Sequence, residues 1–268
     1  MDPLILAAIV SMVAAMMLGV EVLASESTDK RMSSHVRPEV SDTFYREQKT
    51  EQVDLAAISN GSFGIASSHS QLSKTENFGK RLFDIAAAAG LLIVTAPVLL
   101  ITAIAIRLES KGAVLYRQRR VGLNGKVFEI YKLRSMVEEA EKDGIRWAAK
   151  NDSRVTRVGK IIRKTRIDEI PQAFNVFKGE MSFVGPRPER PEFVELLEKE
   201  IPNYHLRHMV KPGITGWAQV KYVYGASVED AREKLKFDLF YIKHFGLLRD
   251  FLIVLLTVRV SLFGIGSR

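Results

Sequence analysis

No cysteine occurs in the 268 residues, which excludes disulfides, thiolate-held metals and a thiol nucleophile. The phosphate-cradling G-x-x-x-x-G-K-[ST] and the dinucleotide fingerprint G-x-G-x-x-G are missing, as is the G-x-S-x-G elbow of serine hydrolases. Histidine is scarce at 5 residues. His205 and His208 stand three apart, but the third ligand a zinc site needs is not evident beside them. Acidic residues are in deficit, 31 against 39 Lys and Arg, for a net charge of +8 and a pI near 9.6. Such a balance suits nucleic acid, anionic head groups or phosphorylated small molecules. Aromatic residues make up 9 % and are poorly interleaved with the basic ones, which flank apolar segments instead. No nucleic-acid partner is expected on that pattern.

What the chain does have is uncharged apolar length. Pro3 to Val20 carries no charge and is about the minimum for a helix crossing a hydrocarbon core of ~30 Å. Residues 1–23 are read as an N-terminal membrane segment. A signal peptide is the rival, but the leading Met-Asp-Pro lacks its usual Lys or Arg. Residues 24–77 are dominated by Ser, Thr, Glu, Gln and Lys and read as a flexible polar linker, with one short helix around Gln52–Ile58. Ile85 to Ile106 is again uncharged, with Pro97 near its middle, and basic residues lie on both flanks: Lys80 and Arg81 before, Arg107 and Lys111 after. Lys and Arg favour the cytoplasmic side of short connections. Basic residues at both ends therefore fit a re-entrant helix-break-helix over residues 78–112, with arms of ~15–18 Å each. A spanning helix with a Pro kink fits the same composition.

Residues 113–268 read as a small α/β domain, mostly helical with short strands. Ala113–Tyr116 and Val127–Tyr131 are predicted strands with a turn at Leu123–Lys126, each followed by basic residues. Helices are expected over Met136–Lys150, Val155–Lys164, Glu192–Glu200 and Ser227–Phe245, with Ser227 as an N-cap. The apolar Phe251–Val258 is too short to span and suits a helix at the membrane interface.

Chemistry concentrates in Lys164-Thr-Arg-Ile-Asp-Glu-Ile-Pro-Gln-Ala-Phe-Asn175. Adjacent carboxylates, Asp168 and Glu169, sit between a basic segment and a helix start. Pro171 suits a first turn, Asp168 is placed to cap it, and Gly179 is a plausible stop. Capping alone would explain an Asp there. Downstream, Gly185-Pro-Arg-Pro-Glu-Arg-Pro191 holds Arg187 between prolines that remove backbone freedom, as bidentate phosphate recognition favours. Lys211-Pro-Gly-Ile-Thr-Gly-Trp217 is a second Gly/Pro loop. With thiol and serine routes excluded, a carboxylate attacking a phosphoryl group remains. It needs an ionised nucleophile, neighbouring cations and a hard divalent ion.

Several motifs occur in a fixed order: Lys80-Arg81-x-x-Asp84, the Pro-broken apolar segment, Arg117-Gln118-x-Arg120-x-Gly122, Phe128-x-Ile-Tyr-Lys-x-Arg134-Ser-Met, Arg166-x-Asp168-Glu169-x-x-Gln172-x-x-Asn175, Gly185-Pro-Arg-Pro188 and Lys211-Pro-Gly-Ile-Thr-Gly-Trp-Ala-Gln219. From about Lys80 to the C-terminus this resembles the bacterial sugar transferases, monotopic polyprenyl-phosphate phosphoglycosyl transferases. The resemblance implies transfer of a sugar 1-phosphate from a UDP-sugar to undecaprenyl phosphate, with release of UMP. It implies Asp168 as nucleophile and Glu169 as its partner in a magnesium-dependent dyad, both toward the Mg2+ ion. It also implies Arg187 on the donor phosphates, with Lys132, Arg134, Arg166 and Asp238 around the site. The protein would sit in the bilayer of the bacterial cytoplasmic membrane, catalytic domain on the cytoplasmic face. The resemblance leaves a homo-oligomer and the identity of the sugar open.

Two departures stand out. The membrane break commonly reads Ser-Pro and is Ala96-Pro97 here. After Gln219-Val220 many relatives carry Asn-Gly-Arg, whereas this chain continues Lys221-Tyr-Val-Tyr-Gly-Ala226, which is similar to a subgroup linked to exopolysaccharide assembly. Two rivals are kept: a membrane-anchored glycosyltransferase releasing UDP, and a non-catalytic basic module on a membrane surface.

Overall fold

The computed structural model describes residues 74–262, apart from 143, 145–151 and 223–226. The expected membrane segment at 1–23 and almost all of the expected linker at 24–77 lie outside the described residues. The described part is mostly helical with short strands.

Helix α1 (Lys74–Glu109) starts inside the stretch read as linker and contains Pro97. Among the described residues, Phe78–Glu109 is the one helical segment long and apolar enough to cross a membrane, its most apolar 18-residue stretch having a mean hydropathy of 2.5. Ile93, Val94, Leu100 and Ile101 are 64–68 % exposed to solvent, which a core helix of this composition would not tolerate.

Both ends of α1 are tied to the domain that follows. At its start, Lys80 Nζ donates to Ser182 Oγ (2.5 Å) and pairs with Asp84 (2.6 Å) and Asp250 (2.9 Å). The Phe183 N–H donates to Asp84 Oδ1 (3.0 Å). Arg81 donates to the carbonyls of Val176 (2.6 Å) and Phe177 (2.9 Å). At its end, the Glu109 carboxylate accepts from the backbone N–H groups of Arg157 (2.7 Å) and Val158 (3.0 Å). Those are first-turn groups of the next helix, which have no intrahelical acceptor. Ile106 is buried with Leu133 and Ile162, and Leu99 packs on that cluster.

Strands β1 (Leu115–Val121) and β2 (Val127–Leu133) form an antiparallel hairpin, Gln118 opposite Ile130. The strands run further than the sequence reading had them, so Arg117, Arg119, Arg120 and Lys132 project from strands instead of following them. The turn uses left-handed Asn124 and Gly125, residues that tolerate positive φ.

The helix expected from Met136 does not form over the residues described there. Met136 pairs with Val155 as an antiparallel bridge, and the intervening described residues are turns or irregular. Val137 N–H to Arg154 O (2.9 Å) and Thr156 N–H to Ser135 O (3.1 Å) take the backbone groups a helix would use. Gly144 at φ 98° breaks any helical run there.

Helix α2 (Arg157–Lys164) is capped by Thr156, whose side chain accepts from Gly159 N–H. A 3-10 turn (Ile167–Gln172) leads into α3 (Ala173–Lys178), which stops at left-handed Gly179. Strand β3 (Ser182–Val184) runs parallel to β4 (Gly213–Thr215). Between them lie α4 (Pro191–Glu200) and a 3-10 turn (Tyr204–Met209). Helix α5 (Trp217–Lys221) precedes α6 (Val228–Lys243), whose start carries a capping box of Ser227 and Asp230. Trp217 stacks on Phe240 at 6.1 Å, and Leu235, Leu239 and Ile242 are buried beside them. Helix α7 (Leu247–Leu262) is longer than the expected apolar run. It buries Asp250 and Ile253 while Leu248 is 84 % exposed.

Candidate active site

The carboxylate pair sits on the 3-10 turn, entered through a strained residue. Arg166 adopts φ 57°, ψ 17°, the left-handed region, at a cost of roughly 1–2 kcal/mol for a side chain other than glycine. Its carbonyl accepts from Glu169 N–H at 3.1 Å. The expectation that Asp168 caps a helix is corrected: Arg166 holds the cap position without a side-chain bond, and Asp168 and Glu169 lie inside the first turn. A role as a simple helix cap therefore does not account for Asp168.

The two carboxyl groups are both buried but differ in surroundings. Glu169 takes Lys132 Nζ on Oε1 (3.1 Å), Arg187 through both Nη atoms, on Oε2 at 3.0 Å and on Oε1, and Arg166 Nη1 beyond Oε2 (3.6 Å). A fork-on-fork pairing with a guanidinium is among the strongest charge-assisted arrangements. Burial disfavours the charged form of Glu169, but Arg187, Lys132 and Arg166 outweigh it and hold the carboxyl well below the usual range. Asp168 goes the other way. Burial, then the negative charge of Glu169, pushes it up to about 6 against the weaker pull of Lys132, Arg163 and Arg187. Two neighbouring carboxyls whose environments drive their pKa values apart are what a site with divided roles requires.

Asn175 joins this turn to the hairpin. Its side chain is fully buried. It accepts from Tyr131 N–H (3.1 Å) and donates to Glu129 O (2.6 Å) and Glu180 Oε2 (2.8 Å). One amide thus occupies the β2 edge that faces away from β1, and Lys132 is carried to Glu169 by the neighbouring residue.

Of the residues singled out from sequence, Lys132, Arg166 and Arg187 gather on the dyad. Arg134 and Asp238 are placed elsewhere. The Arg134 guanidinium donates to the carbonyls of Ser110 (2.8 Å) and Lys111 (2.6 Å), just past the end of α1. Asp238 is buried against Arg207, which donates to it from Nε (3.1 Å) and Nη2 (2.8 Å). Arg207 and Arg120 were not singled out as site residues, because their contribution runs through backbone carbonyls that no motif displays. His208 is pushed down to about 3 by burial, with Arg207 and His205 adding to it, and stays neutral. Among the described residues no cluster of three His, Cys, Asp or Glu is placed to hold a metal.

Residues 75–264 match the family model of the bacterial sugar transferases. The match covers well over half of the chain, which belongs to that family. It is 51 % identical over 191 residues to a UDP-N-acetylgalactosamine-undecaprenyl-phosphate N-acetylgalactosaminephosphotransferase of Aeromonas hydrophila, covering 71 % of this chain and 45 % of that protein. A UDP-glucose:undecaprenyl-phosphate glucose-1-phosphate transferase of Klebsiella pneumoniae is 38 % identical over 243 residues, 90 % of this chain and 51 % of the relative. The exopolysaccharide production protein PSS of Rhizobium leguminosarum bv. phaseoli is 41 % identical over 185 residues, 67 % of this chain and 92 % of its own length. The chain thus spans about half the length of the first two.

Proposed function

We propose that this protein transfers a sugar 1-phosphate from a UDP-sugar to undecaprenyl phosphate through a covalent aspartyl phosphosugar, an initiating step for exopolysaccharide or a related glycan. The observation that carries the reading is a buried dyad ringed by Lys132, Arg166 and Arg187, with Arg163 adding to the field at Asp168. Cations outnumber the two carboxylates, so positive charge is available for a diphosphate.

In the first half-reaction an Asp168 oxygen forms a bond to the β-phosphorus, and the bond from that phosphorus to the bridging oxygen breaks, so UMP departs with its electron pair. A phosphate oxygen of undecaprenyl phosphate then attacks the same phosphorus, and the Asp168–phosphorus bond breaks to restore the carboxylate. Glu169 does not attack; its oxygens orient Lys132 and Arg187 and keep them in the site. Arg187, half-buried on a rigid loop, is suited to grip the donor's diphosphate bidentately.

Magnesium fits this arrangement through Asp168 more readily than through Glu169, whose lone pairs already face cationic side chains. Asp168, its charge disfavoured by burial, has the capacity for a hard cation, and one carboxylate plus substrate phosphates is an ordinary magnesium environment. When bound, the ion supplies charge neutralisation on the diphosphate.

A re-entrant α1 belongs to this proposal. Arg81 and Ile106 are 25 residues apart, or ~37 Å along a straight helix. Their anchors lie close together in the domain. Arg81 binds the Val176 carbonyl, Asn175 is the next residue, its side chain meets Tyr131, and Leu133 beside Ile106 is two residues (~7 Å) along β2. That proximity supports a bend in α1, with Pro97 between the anchors, and a catalytic domain held against one membrane face, the cytoplasmic one. The acceptor lipid and the water-soluble donor would then meet at the dyad.

The deciding experiment is nucleotide release from a panel headed by UDP-N-acetylgalactosamine and UDP-glucose, the donors named in the two relatives, with magnesium and with or without undecaprenyl phosphate. Expected are sustained UMP with lipid, a burst of at most one equivalent without it, and neither from Asp168→Asn. UDP as the product, or an active Asp168→Asn, overturns the mechanism. Salt-sensitive vesicle binding with no turnover on any donor would favour the non-catalytic module.

A further inference from the structure

Arg187 can serve a phosphate only if its loop is held still, and the loop has few backbone donors of its own with which to pair. Pro186, Pro188 and Pro191 have no N–H, so the carbonyls are the remaining handles. Four consecutive carbonyls are each taken by a donor from a different place. Pro186 O accepts from Gly213 N–H (3.0 Å) and Glu189 O from Val121 N–H (2.9 Å). Pro188 O accepts from Arg120 Nη1 (2.9 Å), and Arg187 O from Arg207 Nη2 (2.8 Å). The first two are backbone donors that any residue supplies. The other two are side chains, and Arg207 holds the carbonyl of the phosphate-gripping residue itself.

Arg207 is in turn fixed. It is 6 % exposed, lies on the 3-10 turn Tyr204–Met209, and is gripped by Asp238 of α6 through Nε and Nη2. Its Nη1 donates to Tyr204 Oη at 2.8 Å. Four guanidinium bonds in fixed directions connect three sites, an arrangement a lysine ammonium cannot reproduce. All four bonds go to the protein's own groups, none of them a dyad carboxylate, which is the bonding of a residue that holds others in place.

We infer that Arg207, locked by Asp238, is a positioning residue that sets the Arg187 backbone and through it the aim of the Arg187 guanidinium at Glu169 and the donor diphosphate. The inference rests on the proposed phosphosugar transfer for its catalytic consequence, but its structural content does not. Asp238 then enters the reaction two contacts removed, through Arg207 and Arg187.

Two measurements on the full-length protein separate the claims. Arg207→Lys keeps a cation for buried Asp238, so the fold is retained, while the reach to Arg187 O is lost. Hydrogen exchange at the Gly213 and Val121 amides, which donate to the loop's Pro186 and Glu189 carbonyls, should accelerate about tenfold or more while the α6 amides keep their protection. Unchanged loop exchange overturns the inference, and acceleration throughout the domain assigns Arg207 to general stability instead. On UMP release, Arg207→Lys should lower kcat/KM about tenfold in the parent and less than twofold in an Arg187→Ala background, because the two act in series. Equal losses in both backgrounds overturn it. A parent that releases no UMP from any donor refutes the transfer reading alone, and the exchange experiment still decides Arg207.

Discussion

A carboxyl with a pKa of about 6 is ~90 % ionised at pH 7 and ~10 % ionised at pH 5. Asp168 therefore has a working range, and the rate of the UMP burst measured without lipid acceptor should rise about tenfold per pH unit below 6 and level off above 7. A limb near pH 4 would mean that an ordinary carboxylate carries the step. The same displacement has a stability consequence. The folded pKa lies above the ordinary 3.8, so folding is penalised as pH rises through about 4 to 6 and Asp168 ionises while buried. Asp168→Asn should thus be inactive yet melt no lower than the parent at pH 7, with any gain vanishing near pH 4. A lower melting temperature at pH 7 would show that the carboxylate is net stabilising. Glu169 differs from its neighbour by one methylene and by what surrounds it, and none of its three cationic partners is adjacent to it in sequence.

At the scale of elements, the turn carrying the dyad is a junction between α2 and α3 secured to a two-stranded hairpin. A lone hairpin is marginal in water, and β2 presents a second edge that needs partners. Asn175 supplies them with one side chain. Asn175→Ala would leave Tyr131 N–H and Glu129 O without that partner and should cost about 2–3 kcal/mol, read as a lower unfolding midpoint. It should also reduce turnover by loosening Lys132 at Glu169. A stability change below ~0.5 kcal/mol would show that another group takes over the edge. The helix expected over 136–150 shows the limit of local pattern: its apolar spacing allowed a helix, but pairing between residues 135–137 and 154–156 took the backbone groups first. Helices α2, α4 and α6 were legible because their stops and caps are local: Thr156, Pro191 and the Ser227–Asp230 box.

Over the whole molecule, α1 is an apolar element whose exposed middle faces outward and whose polar ends are pinned to the catalytic domain. The absence of native cysteine makes its topology directly testable. Single cysteines at Asn77 and Lys111, on either side of the apolar run, should both react with a membrane-impermeant maleimide only in inverted vesicles. Labelling from opposite faces would show that α1 crosses the bilayer and would end the re-entrant reading. The pinning at the start of α1 relies on Lys80 between buried Asp84 and Asp250. Lys80→Met would strand two buried carboxyls and should destabilise by about 3–5 kcal/mol, with faster proteolysis at α7; an unchanged unfolding midpoint would show that the carboxyls are relieved by protonation.

Sequence alone determined the family, the Asp168–Glu169 pair, the Pro-Arg-Pro loop and the apolar segments, because these depend on residue types at short, fixed separations. It did not determine which cations meet Glu169, that Arg134 closes the end of α1, or that Asp238 faces Arg207. Nor did it decide that the two ends of α1 return to one domain. Apart from Arg166, three positions from Glu169, those are contacts between residues from 18 to more than 90 positions apart. A long side chain of fixed type can pair with many partners, so tertiary structure alone selects which carbonyl or carboxylate it reaches.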